Sequence, residues 1–252
     1  MNRQTNGSLS KVPQVTMGFW VLKILSTTLG ETGGDAVSMS LNLGYLLSTG
    51  IFAVIFVIAV LTQIFAKKFY PVIYWVTIIA TTTVGTTLAD FCDRSLGIGY
   101  TGGSALLLGL LLASLYAWKK TLGTVAVETV NTPKAELFYW FTIMCSQTLG
   151  TALGDWTSDS AGLGYLGSAA IFGGLLVIVA VTYWKTSLSR TLLFWAAFIL
   201  TRPLGAVVGD FLDKPHDHGG LALSRFTASA VLLAIMGVIM VTIPQRAATK
   251  SH

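Results

Sequence analysis

Six stretches of the chain run without a single Asp, Glu, Lys or Arg: 36–66, 69–89, 95–118, 137–154, 160–184 and 226–245. A helix crossing the hydrocarbon layer of a bilayer, about 30 Å thick, needs roughly 20 predominantly apolar residues. Most of the stretches reach that length, and the first exceeds it because it includes a polar turn. A transmembrane β-barrel would instead show alternating segments of about 10 residues, so the pattern predicts helices. Two further spans are each broken by an internal basic residue, 16–37 by Lys23 and 191–212 by Arg202. The expected fold class is all-α: a polytopic membrane protein of eight spans near 16–37, 43–66, 70–92, 99–118, 136–157, 163–184, 191–212 and 221–243. Residues 1–15 form an N-terminal segment, 16–120 a first membrane half, 121–135 a linker, 136–243 a second half and 244–252 a tail.

Composition sharpens the class. Hydrophobic residues make up 53% of the chain and charged residues only 11%, against roughly 25% charged in an ordinary soluble domain. That excludes a nucleic-acid-binding domain, a disordered chain and a disulfide scaffold; Cys92 and Cys145 are too far apart along their spans to suggest a pair. Residues 1–15 lack the apolar core of a cleavable signal. Basic residues are one-sided. Arg3, Lys11, Lys67, Lys68, Lys119, Lys120, Lys134, Lys185, Arg190, Arg246 and Lys250 fall on the side of the termini, and only Arg94 and Lys214 on the other. By the positive-inside rule both termini are expected in the cytoplasm of a multi-pass protein of the inner (plasma) membrane. The net charge of +5 then describes a cytoplasmic rim facing anionic lipid, with the bilayer as partner and no nucleic acid.

One pattern recurs four times: STTLGETGGDAVS (26–38), TTTVGTTLADFCD (81–93), SQTLGTALGDWTS (146–158) and TRPLGAVVGDFLD (201–213). All satisfy [ST]-x-x-x-G-x-x-x-[GA]-D, with the aspartates at 35, 90, 155 and 210, spaced 55, 65 and 55 apart. Ten residues later three copies have Gly-Tyr (Gly44-Tyr45, Gly99-Tyr100, Gly164-Tyr165), where the fourth has Gly219-Gly220. Each repeat therefore reads as a helix, a short outer turn and a returning helix. Two spans per repeat make all copies enter the membrane alike, as parallel repeats about an axis along the membrane normal. A pseudo-fourfold or two-plus-two ring follows, with odd-numbered spans inside and even-numbered spans facing lipid.

The small residues Gly30, Gly34, Gly85, Gly150, Gly154, Gly205 and Gly209 lie at i, i+4 spacing and suit helix packing in lipid, where small side chains let backbones approach. Asp35, Asp90, Asp155 and Asp210 follow that stripe at a common depth; Asp90 is about 32 Å along its span, at the outer boundary. An Asp at a helix C-terminus opposes the macrodipole, so a cation, an Arg or donors from a neighbouring repeat should compensate it. The aspartates are candidates for cation attraction or binding, with Thr28, Thr83 and Thr148 lining a path deeper on the same face. Arg202 lies at about 18 Å depth, where a charge marks a functional site, and Glu31 is its expected partner, as a gating or proton-linked ion pair. Pro203 should bend this span. Lys23 is shallow enough to snorkel, Arg225 can neutralise part of the carboxylate ring, and Trp20, Trp75, Trp140 and Trp195 read as an interfacial belt. His216 and His218 form a candidate metal pair.

The four hairpins resemble the bacterial integral-membrane family built from tandem copies of a repeat of unknown function. The resemblance covers about residues 16–243 and implies architecture, not a substrate. No enzyme motif is present, and no cofactor is implied. The expectation is a secondary transporter of a small cation, such as a divalent metal bound by hard oxygen ligands. The alternatives are a non-transporting scaffold or stress-response module and a proton-coupled exporter of a small organic molecule. Self-association into a homo-oligomer stays open. Few polar residues on the cytoplasmic half of the odd spans argue against an open channel.

Overall fold

The computed structural model describes residues 10–249; Arg3 and Lys250 of the basic rim, most of the 1–15 segment and the end of the tail lie outside them. Among the described residues there are eight long helices and no strand: α1 Met17–Asp35, α2 Gly44–Phe65, α3 Pro71–Asp90, α4 Tyr100–Leu122, α5 Pro133–Asp155, α6 Gly164–Lys185, α7 Arg190–Asp213 and α8 Arg225–Thr242. Local chemistry fixes their starts. Thr16, Thr132 and Ser189 accept from the backbone N–H of Phe19, Ala135 and Leu192, satisfying donors that the first helical turn leaves free. Pro71 and Pro133 occupy first-turn positions where no N–H is needed. At the far end α1, α3 and α5 each continue into one π-helical turn, Ala36–Ser40, Phe91–Ser95 and Trp156–Ser160, three residues past the expected ends. Gly44, Gly99 and Gly164 then take φ of 71°, 75° and 64°, a left-handed geometry that Gly supplies without steric cost.

Six helices, all but α1 and α5, are long and apolar enough to cross a membrane. The other two carry Lys23, Glu31 and Asp35, and Lys134, Glu136 and Asp155, respectively. These charges lower their mean hydropathy, yet both helices are buried inside the bundle.

Helices α1, α3, α5 and α7 form a closed ring in that order, each packing on the next and α7 on α1. The returning helices lie outside it, and they do not pair with the helix that precedes them. Instead α2 packs chiefly on α3, α4 on α5, α6 on α7 and α8 on α1. The expected hairpins are thus a pinwheel in which every repeat clasps its successor. The outer faces of α2, α4, α6 and α8 show side chains such as Val54, Ile58, Leu106, Val177 and Val238. Such a surface suits hydrocarbon, not water.

Ring closure depends on the repeat glycines. A Cβ on Gly30 would lie 2.3 Å from Thr82, on Gly85 2.9 Å from Gln147, on Gly150 2.2 Å from Arg202 and on Gly205 2.1 Å from Thr27. In every seam the Gly five residues before one repeat's Asp receives the side chain eight residues before the next repeat's Asp. Gly34, Gly154 and Gly209 repeat the arrangement one turn on, against Thr86, Ala206 and Glu31. Helix α7 runs on through Pro203, whose ring fits because the facing residue is Gly150.

At the end opposite the aspartates residues 10–15 and the segment around Ala247 close the bundle. Lys11 pairs with Glu136 at 2.7 Å and donates to the carbonyls of Gln63 and Ile64. Pro13 bridges to Ala247. The segment thereby ties α2, α5, the 121–135 linker and the tail together.

Candidate functional site

The axis of the ring is built from side chains spaced four residues apart on each inner helix. Counting back from the aspartates, the tiers are Asp35, Asp90, Asp155 and Asp210; Glu31, Thr86, Thr151 and Ala206; Thr27, Thr82, Gln147 and Arg202; Lys23, Ile78, Ile143 and Phe198; and Phe19, Tyr74, Tyr139 and Phe194. All but Phe194, at 6%, are no more than 3% exposed. The four-residue step follows from inner helices packing along their i±4 ridges.

The aspartate tier is paired, but not fourfold. Arg94 Nε lies 3.0 Å from Asp90 and its Nη2 3.3 Å from Asp155. Lys214 Nζ lies 3.1 Å from Asp210 and donates to Asp35. Arg94 and Lys214 both stand four residues after their own Asp, while Met39 and Asp159 hold that position in the other two copies. The second and fourth repeats thus each supply one cation, which joins their own Asp to the Asp of the following repeat. Both clamps cross the seams between the two halves of the chain. Arg225 adds contacts to Asp213 at 3.1 Å and Asp35 at 3.8 Å. Tyr45 faces Asp90 and Arg94, Tyr100 faces Asp155 and Arg94, and Tyr165 faces Asp210. The Gly-Tyr of each of these copies therefore serves the next repeat's carboxylate. The fourth copy has no such Tyr, and Arg225 reaches Asp35 in its place.

Negative charge still exceeds positive at this end: Asp35, Asp90, Asp93, Asp155, Asp210 and Asp213 face Arg94, Lys214 and Arg225. Neither carboxylate oxygen of Asp93, nor Oδ1 of Asp35, nor Oδ2 of Asp90 has a hydrogen-bond partner among the described residues. Glu31, Asp35 and Asp210 bring three carboxylate oxygens within 4.8 Å of one another, a set of hard donors sized for a cation. The Lys214 ammonium is bonded to two of the three, Asp35 and Asp210. Burial pushes Lys214 down, but Asp210, Asp35 and Asp213 outweigh it and hold its amine well above the ordinary lysine range. It is a fixed positive charge in that position.

One tier deeper, Arg202 Nη2 donates to Glu31 at 2.9 Å, to the Thr86 hydroxyl at 2.7 Å and to Thr151. Its head group reaches all three other inner helices and so lies on the axis. Thr86 also donates to the Gly30 carbonyl at 3.2 Å. Thr28, Thr83 and Thr148 do not join this column: each hydroxyl bonds back to its own helix, at the carbonyls of Ile24, Ile79 and Met144. The axial positions are instead Thr27, Thr82, Thr86 and Thr151. Lys23 does not snorkel. It is fully buried, 4.2 Å over the Phe198 ring, because its helix lies inside the ring and offers no route to an interface.

The axis ends in aromatic rings. Tyr74 and Tyr139 share a hydroxyl–hydroxyl bond of 2.6 Å. Each ring in the last tier packs on the Trp of the next repeat: Phe19 on Trp75, Tyr74 on Trp140, Tyr139 on Trp195 and Phe194 on Trp20, at 5.6, 5.6, 6.3 and 5.8 Å between centroids. Trp75, Trp140 and Trp195, at most 4% exposed, thus belong to an internal plug and not a lipid-facing belt, while Trp20 is partly buried against it. His216 and His218 lie in a short exposed turn, where the His216 ring meets the Gly220 carbonyl at 2.9 Å. They form no metal cluster with other residues among those described.

The profile of the family described as Repeat of Unknown Function (DUF347) matches the chain four times, at residues 18–69, 73–124, 138–189 and 193–243. No curated protein and no solved structure matches. The chain belongs to the DUF347 repeat family.

Proposed function

We propose that this member of the DUF347 repeat family is an eight-span secondary transporter of a cation, a divalent metal by its ligand chemistry, with both termini in the cytoplasm of a bacterium. The observation that carries the reading is the buried triad Glu31, Asp35 and Asp210, with the Lys214 ammonium already bound to two of its carboxylates. A substrate cation entering the carboxylate-rich end competes with Lys214 for these oxygens. Displacing Lys214 unfastens a clamp between the two halves, which ties binding to their relative movement. The aromatic plug closes the opposite end, so the conformation is one with the inner gate shut. Rocking of the halves would part Tyr74 from Tyr139 on one seam and Phe19 from Phe194 on the other.

Equilibrium binding of Mn²⁺ to the purified protein tests this site. Lys214→Gln removes the competitor and is expected to tighten binding at least about tenfold, a difference of about 1.4 kcal/mol. Asp35→Asn with Asp210→Asn should abolish it. Unchanged affinity in Lys214→Gln would sink the competition. Orientation is checked by thiol labelling in intact spheroplasts: an impermeant maleimide should reach part-exposed Cys92 from outside and leave buried Cys145 unmodified. Labelling of Cys92 only after lysis would reverse the topology.

The second reading, a non-transporting scaffold, draws on the aromatic closure, since a ring sealed against itself needs no path. It predicts no ion flux in either direction.

A further inference from the structure

Between the Arg202 head group and the aromatic plug lies a set of buried polar groups that the carboxylate site does not use. Lys23 Nζ has no hydrogen-bond partner among the described residues. Arg202 directs its contacts through Nη2, while Nε and Nη1 have none. Gln147 stands in the same tier on α5; its side chain is fully buried and neither its amide nitrogen nor its oxygen is bonded. The Thr82 hydroxyl, on α3 at that level, is likewise unpaired. Lys23 lies one turn below this tier, its Nζ 4.2 Å over the ring of Phe198, which stands one turn below Arg202 on α7.

The chemistry of this set is one-sided. An ammonium offers three donors and no acceptor, a guanidinium only donors, and a primary amide two donors against one acceptor. Charge is unbalanced as well: Lys23 and Arg202 face one carboxylate, Glu31, which Arg202 already engages. Unpaired donors and an uncompensated charge at membrane depth are costly. A ligand that accepts many hydrogen bonds, donates none and carries one negative charge answers both.

We propose that the axis binds a small monovalent inorganic anion between Lys23, Arg202 and Gln147, with the Thr82 hydroxyl as a further donor. The site uses the free Nε and Nη1 of Arg202, whose Nη2 binds Glu31 of the carboxylate triad, and it does not require that triad to carry a substrate. Lys23 is its determining residue, because it alone of the two cations has no carboxylate partner. The anion would fix the charge of the column one tier above the plug.

Thermal unfolding of the full chain in zwitterionic nanodiscs, with gluconate exchanged for chloride at constant ionic strength, tests the proposal. The wild-type midpoint should rise by about 5 °C along a saturable curve, and bromide should act as chloride does. Lys23→Met deletes a buried charge and should fold, with its response to chloride lost; Gln147→Leu should weaken the response at least severalfold. A wild-type midpoint equal in chloride and gluconate would overturn the site, with water and a neutral amine satisfying the donors instead. So would a Lys23→Met protein that keeps the full chloride response.

Discussion

Replacing Arg202 by methionine lowers the free energy of unfolding by about 3–5 kcal/mol, the cost of leaving a buried charge without its partner. Glu31 is 2% exposed, and without Arg202 it keeps only the Thr86 hydroxyl at 3.3 Å. The same reasoning fixes the companion result. Replacing both members, Glu31→Met with Arg202→Met, removes the charges together and should restore most of the loss, since a buried pair gains little over apolar residues of similar volume. Chemical unfolding in nanodiscs measures all three proteins. A double variant as unstable as Arg202→Met alone would show that the guanidinium is held by Thr86 and Thr151 and not by Glu31.

Adding bulk at the ring glycines produces the second large effect. In Gly205→Val the first added carbon meets Thr27 at 2.1 Å, and in Gly150→Val it meets Arg202 at 2.2 Å. Both neighbours are fully buried and held by bonds of their own, so helices must separate. Overpacking costs typically about 1–3 kcal/mol and more where nothing yields; these variants should not recover as folded monodisperse protein. Gly109→Val on α4 and Gly173→Val on α6 have open space around the added atoms and should retain wild-type yield. Size-exclusion profiles of the four variants separate the cases, and equal profiles would refute the seam.

Much of this architecture is legible in the sequence because the repeats report on one another. Four aligned Asp and Gly positions place the inner ring, and Glu31 stands out as Arg202's partner since the other copies carry Thr or Ala there. What the chain hides is direction around the ring. Fourfold periodicity looks the same whether α2 packs on α1 or on α3, so the pinwheel is invisible. Depth is legible but azimuth is not: Trp75 lies where an interfacial belt would, yet it stands one residue from the axial row. Thr83 lies seven residues before its Asp, nearly on the same face of a straight helix. Packing along the i±4 ridges carries the axis to Thr82 and Thr86 instead. The clamps were within reach of the alignment, because Arg94 and Lys214 occupy the same offset in alternate copies. That signal is overlooked when basic residues are counted by side of the membrane and not by repeat position.

Charge asymmetry also explains why the aspartates tolerate helix C-termini. The repeat places each carboxylate against the macrodipole, and the preceding repeat or its own last turn returns a cation or a tyrosine to it. Asp93, which receives neither, lies against Gly103 of α4, where a Cβ would meet its Oδ1 at 2.5 Å. The carboxylate end therefore keeps uncompensated charge, in keeping with the proposed entry of a cation.

Cation flux into proteoliposomes decides between transport and scaffold. Vesicles enclosing a metal-sensitive dye, with wild-type protein or with Asp35→Asn and Asp210→Asn together, are exposed to Mn²⁺ under an outward proton gradient. Wild-type vesicles should fill at least about tenfold faster than those with the double variant, whose site no longer holds the ion. Equal rates for wild type, double variant and protein-free vesicles, with both proteins folded in the bilayer, would make the triad a structural clamp and the ring a scaffold.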